Sequence, residues 1–137
     1  MNINMSNKSQ FQITGSSLFR DLREIKATLY SLYDNLSSRN RRILDKLIDL
    51  LLDAQYVFYK AYIYRENTND KLKLVDELWI RLTIVDSEIS FLLDQIRCHP
   101  NDSKNIPDKR IEELLRLSPK LIDGSEKWRQ SILNKLK

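Results

Sequence analysis

Apolar residues recur along this chain at helical spacing. Leu18, Leu22, Ile25, Leu29, Leu32 and Leu36 follow one another at intervals of 4, 3, 4, 3 and 4 residues. Such a stripe lies on one side of an α-helix. Ser16 or Ser17 is placed to cap this first helix, and Asp21 and Glu24 stand early in it, where the macrodipole favours acids. After Ser37-Ser38 a second helix is expected from about Asn40 to Arg65. It carries two adjacent stripes: Ile43, Leu47, Leu50, Ala54, Val57, Ala61 and Tyr64, then Leu44, Ile48, Leu51, Phe58 and Tyr62. Two stripes make a face wider than one partner helix covers. This helix is therefore central in the fold, or it also faces a second subunit.

Asn67-Thr68-Asn69-Asp70 reads as a turn and cap, followed by a third helix to about Arg97. Val75, Leu78, Leu82, Val85, Ile89, Leu92 and Ile96 hold its heptad spacing; Leu74, Ile84 and Phe91 widen the stripe, and Trp79 lies off it. His99 to Pro107 has no period and reads as a loop. A fourth helix opens near Pro107-Asp108 and continues through Ile111, Leu114, Leu117, Leu121, Trp128 and Ile132. Pro119 inside it removes a backbone donor and crowds the preceding turn, which predicts a kink or a break. Gly124-Ser125 is a second weak point, or a place where another helix comes close. The expected fold is all-α: an antiparallel up-down-up-down four-helix bundle over residues 16–137, with residues 1–15 as a flexible arm.

Composition supports long elements, since 137 residues contain only 2 Gly and 3 Pro. No apolar run approaches the roughly 18 residues needed to span a bilayer. Residues 1–15 lack the apolar segment of a signal peptide. Together with a single cysteine, Cys98, this predicts a soluble, cytoplasmic protein without disulfides and without a membrane partner.

Catalytic constellations are missing. The one histidine, His99, precedes a proline, so the Glu-x-x-His pairs of di-metal bundles cannot form, and zinc-ligand clusters are absent. There is no glycine-rich phosphate loop. The arginine-to-histidine spacing of HEPN-type ribonucleases is also missing, Arg97 lying only two residues before His99. Cys98 and His99, adjacent at a helix end, are poorly placed to act as nucleophile and base. The expectation is a protein with no enzymatic activity, no metal and no cofactor.

Charge changes the picture more. The net +4 comes from residues 37–66 and 100–137, whereas 67–99 is net acidic. Arg39, Arg41, Arg42 and Lys46 gather at the start of the second helix, where free N–H groups would help hold a phosphate. Lys104, Lys109, Arg110, Arg116, Lys120, Lys127 and Arg129 form a second set, interleaved with acids at Glu112, Glu113, Asp123 and Glu126. A solvated bundle end is the alternative reading for both. Tyr56, Tyr59, Tyr62 and Tyr64 cluster with Lys60 and Arg65. Rings beside cations can stack nucleic-acid bases, but such rings more often line subunit contacts. Tyr56, Tyr59, Tyr62, Trp79 and Trp128 are therefore candidate oligomer-interface residues.

Three segments resemble the accessory proteins of diversity-generating retroelements, the Avd family, and their relatives encoded in ribosomal RNA intervening sequences. Leu50-Leu51-Leu52-Asp53-Ala54-Gln55-Tyr56 followed by Lys60 is similar to the family's leucine-rich helix ending in Ala-x-Tyr. Leu78-Trp79-Ile80-Arg81-Leu82 resembles its Leu-x-x-Leu-Arg segment in a shifted form. Ile106-Pro107-Asp108-Lys109-Arg110, then Ile122-Asp123-Gly124 and Trp128-Arg129-Gln130-Ser131, resemble an ending with glycine shortly before Trp-x-x-Ser. Pro119 and the wide Gly124-to-Trp128 spacing depart from that pattern. The resemblance covers about residues 18–133. It implies a non-enzymatic, basic, ring-shaped homo-oligomer, pentameric in the family, that binds a reverse transcriptase and template RNA and supports mutagenic complementary-DNA synthesis. The nucleic-acid contacts would then be the basic residues named above. A helical protein–protein adaptor without nucleic-acid binding is the alternative.

Overall fold

The computed structural model describes residues 17–136, so the arm expected over 1–15 lies outside the described residues. The described chain is all-helical, with no strand among its residues. Five α-helices follow one another: α1 (Ser17–Ser31), α2 (Ser38–Ile63), α3 (Asn69–Cys98), α4 (Pro100–Asn105) and α5 (Asp108–Leu136).

The first leucine stripe is buried from Leu18 to Leu36, but the α-helix beneath it stops at Ser31. Two hydroxyls near that point turn onto the backbone: Thr28 donates to Glu24 O at 3.0 Å and Ser31 to Thr28 O at 2.6 Å. Such bonds compete with the regular ladder. A short 3-10 turn over Tyr33–Asn35 then carries Leu36 into the core in an extended conformation.

The wide apolar face of α2 is used within the chain. Leu44, Leu47, Ile48, Leu51, Ala54, Val57, Phe58 and Ala61 are all buried, drawn from both stripes. α3 packs along α2, and α1 adds a lighter contact in which Phe19 stacks on Phe58 with ring centroids 5.8 Å apart. Most of this face is thus covered within the chain, while Tyr62 and Tyr64 of the same stripes stay exposed. α5 packs on both α3 and α1.

Specific pairs fix the relative direction of these helices. Trp128, late in α5, meets Phe58, late in α2, at 5.5 Å, and Lys71, early in α3, sets its ammonium 5.7 Å from the Trp128 ring. Asp76 pairs with Arg129, and further along Ser118 donates to Asp86. At the other end Arg39, early in α2, donates to Gln95, late in α3, at 3.0 Å. One end thus holds the start of α1, the end of α2, the start of α3 and the end of α5.

α5 runs as one element through Pro119, so the helix is not broken there. Pro119 and Leu115, whose carbonyl loses its helical donor, are both exposed, and water can satisfy the freed group. Gly124 is the point where α1 comes close: a Cβ there would lie 3.2 Å from Leu18 Cδ1. Of the two readings of Gly124-Ser125, close approach is the one observed.

The segment expected to be a loop contains α4. Its start is capped by His99, whose Nδ1 accepts from Asp102 N–H at 3.2 Å, with Pro100 in the first turn. α4 exposes little of Asp102, which reaches across the fold. Ser37 N–H donates to both its carboxylate oxygens at 2.9 and 3.0 Å, Ser37 Oγ donates at 2.9 Å and Asn40 Nδ2 at 2.7 Å. Burial alone would push the Asp102 carboxyl up. The bonds from Ser37 and Asn40, with a smaller contribution from His99, outweigh it and hold the group below its ordinary value. A carboxyl depressed in the fold contributes stability above its unfolded pKa of about 3.9 and loses it as pH falls through the folded pKa. Asp102→Asn should therefore cost about 2–3 kcal/mol near neutral pH and flatten the acid limb of the stability profile, as denaturant melts between neutral and strongly acidic pH would measure.

Candidate interaction surfaces

Three surface features stand out once the core is accounted for. The first is the outer side of α2, where Leu52, Tyr56, Tyr59 and Ile63 are exposed at intervals of 4, 3 and 4 residues. They share one helix face, away from the buried stripes. The second is the outer side of α3, where Ile80, Ile84 and Phe91 are exposed at intervals of 4 and 7, with Trp79 nearby at 37% exposure. The third is the basic end at the start of α2 and α5.

Of the residues expected at a subunit contact, Tyr56, Tyr59, Tyr62 and Trp79 are on the surface. Trp128 is not: it is 5% exposed and packs between Phe58 and Lys71. Its place on the apolar stripe of α5 sends the indole inward, so it belongs to the core. Burial also lowers the pKa of the Lys71 amine stacked on it, with Lys135 adding to the effect. Ile80, Ile84 and Phe91 form a surface that spacing could have exposed. Ile84 and Phe91 read as a widening of the buried stripe, but they stand on the opposite side from Leu78, Leu82 and Leu92.

The basic residues divide between the two ends. Arg39, Arg41, Arg42 and Lys46 begin α2, and Lys109 and Arg110 begin α5. Lys127 and Arg129 lie near the other end of α5, where Arg129 is paired with Asp76. Several of these cations are already engaged. Arg41 donates to Tyr33 O at 2.9 Å and to Asp34 O at 3.4 Å, and its guanidinium lies 5.2 Å from the Tyr33 ring centroid. Arg110 is 3.7 Å from Glu113.

The N-terminus of α2 is itself occupied. Asp102 sits on Ser37 N–H, and Ser37 Oγ accepts from Asn40 N–H at 3.4 Å. Of the N–H groups at this helix start, that of Ser37 is thus given to an internal carboxylate and that of Asn40 to the capping hydroxyl, so an anion there would meet a negative charge already in place. Asp102 was not singled out by sequence reasoning. Its signal was a carboxylate three residues after a capping histidine, in a stretch with no apolar period.

Cys98 is exposed, while His99 directs Nδ1 to Asp102. Among the described residues no group of three or more His, Cys, Asp or Glu side chains could hold a metal ion, and no helix is long and apolar enough to cross a membrane. An open cleft between α1 and α5 sets Asp21 and Asp123 against Lys120 and Lys127, a self-compensated set of charges.

No family model matches this chain, and no curated protein or solved structure matches it. The interpretation of these surfaces therefore rests on their own chemistry.

The two kinds of aromatic residue should separate in a melt. Trp128→Ala, emptying a core position, should cost about 3–5 kcal/mol. Tyr56→Ala, at a ring 64% exposed, should stay within about 0.5 kcal/mol of wild type.

Proposed function

We propose that this protein is a non-catalytic, nucleic-acid-binding accessory subunit that associates with copies of itself and, as its resemblance to the Avd family implies, assists a reverse transcriptase in diversity-generating retrohoming. Its fold on this reading is an antiparallel up-down-up-down four-helix bundle, bent at Pro119, working in the cytoplasm as a homo-oligomer, a pentamer if it follows the family.

The observation that carries the reading is the outward stripe of α3. Ile80, Ile84 and Phe91 stand exposed on the one segment with net negative charge. An aliphatic and aromatic row of this kind is costly to leave in water and suits a protein surface. Template RNA would meet the cations at the basic end, Arg39, Arg41, Arg42, Lys46, Lys109 and Arg110. Lys127 and Arg129, at the other end of α5, would make a separate contact.

A helical adaptor without nucleic-acid binding is the second reading. It is favoured by Asp102, which already fills the N-terminus of α2 with negative charge.

Two measurements test the proposal. The mass of the full chain in solution should exceed that of a 16.3 kDa monomer, and Ile84→Glu with Phe91→Glu should return it to monomer without loss of helicity. A wild-type monomer at micromolar concentration would overturn the assembly. RNA affinity should fall steeply with salt, and charge reversal at Arg41 and Arg42 should weaken it at least tenfold. A salt-independent affinity would leave the adaptor.

A further inference from the structure

One buried cation of α3 has no anion beside it among the described residues. Lys71, in the first turn of the helix, is only 9% exposed, and its backbone N–H is taken by the Thr68 cap. Val75, one turn on, belongs to the core, so Lys71 leaves α3 on the same inward side. Its ammonium lies 5.7 Å from the Trp128 ring centroid. Trp128 in turn meets Phe58 at 5.5 Å, and Tyr62 stacks on Phe58 with centroids 6.5 Å apart. The amine thus ends on an aromatic floor built from the late turns of α2 and α5.

A buried charge is ordinarily compensated by an opposite one. Among the described residues Lys71 makes no ion pair with a carboxylate. Glu66 and Asp70, close to it in sequence, are exposed, and Asp76, further along α3, is engaged by Arg129. The charge that does act on Lys71 is a second cation, Lys135 at the end of α5. Burial and that neighbour both lower the pKa of the amine, so more of it is neutral at a given pH than of a solvated lysine. The tip is nevertheless open. Every sealed side-chain nitrogen or oxygen among the described residues has a hydrogen-bond partner, and Lys71 Nζ has none, so it meets solvent. The stem is buried while the nitrogen reaches water.

We infer that Lys71 Nζ is a nucleophile and the site at which this chain is acylated by small acyl phosphates. A lysine withdrawn from water beside another cation is the arrangement that activates an amine. In the step, the lone pair of the amine adds to the acyl carbon. The C–N bond forms, the C–O bond to phosphate breaks, phosphate departs with that electron pair, and the proton of the amine passes to solvent. Lys135 bears on the donor as well as on the amine. Its ammonium attracts a phosphate leaving group, which an uncharged electrophile such as an aldehyde lacks. The buried stem leaves only the tip to be reached, which suits a small acyl group. The product amide is neutral, so this end of the bundle no longer holds a desolvated charge.

The test treats the full chain with acetyl phosphate under native conditions and follows acetylation of each lysine by peptide mass spectrometry. Near neutral pH Lys71 should react about threefold faster or more than the exposed Lys73, and its rate should level off at a lower pH. Lys135→Gln should slow acetylation of Lys71 at neutral pH and leave Lys73 unchanged. At high pH, where both amines are neutral, the same substitution should have little effect. Lys71→Arg, with helicity unchanged, should lose that product alone. A Lys71 rate no higher than that of Lys73 would overturn the proposal. Labelling of Lys71 confined to the denatured chain would do the same, because the nitrogen would then be sealed in the fold. A Lys135→Gln chain acetylated at Lys71 as fast as wild type at neutral pH would also overturn it.

Discussion

Apolar stripes at heptad spacing, buried against one another, are what the rest of this structure depends on. The core residues run in an unbroken cluster from Leu18 to Ile132 and draw on all four long helices. Polar links between helices are few: Asp102 with Ser37 and Asn40, Asp86 with Ser118, Asp76 with Arg129, and Gln95 with Arg39. The burial supplies most of the free energy, and the polar links fix which ends meet. Among the described residues no buried side-chain nitrogen or oxygen lacks a partner. The scaffold is thus satisfied internally, and its unmet surface lies outside, on α1, α2 and α3.

That division explains what the sequence made legible. Helix positions followed from period: α3 was expected from the Asn67–Asp70 turn to Arg97 and runs Asn69–Cys98, capped by Thr68. The opening of α5 at Pro107-Asp108 was equally plain. Period failed where polar bonds override it. α1 stops at Ser31 although the leucine stripe continues to Leu36. α4 carries no stripe, because its one buried residue is a carboxylate that finds its partners 62 and 65 residues away. Nothing local announces such a contact.

The candidate surfaces were legible in part for the same reason. Tyrosines on α2 declared themselves by type, and Arg39 to Lys46 by charge. Trp128 was misplaced because residue type outweighed its position on the α5 stripe. Ile84 and Phe91 were read as core because an apolar residue one step off a stripe resembles a flank. Only the packing of α2 and α5 on α3 shows which side is left over. The Asp102 carboxylate at the α2 N-terminus also lay beyond any local reading, and it sets a negative charge where an anion was expected.

The light contact between α1 and α2 has a further consequence. α1 has 15 residues, about the length at which an isolated helix is marginal in water. It is held chiefly by α5, through the close approach of Leu18 to Gly124. Hydrogen exchange by local opening should therefore be fastest there, below the global unfolding free energy. A molecule lying across α1 and α2 would bridge the most easily detached helix to one held along its length by α3. Its occupancy would then be linked to the ordering of α1, so that affinity and local stability rise and fall together.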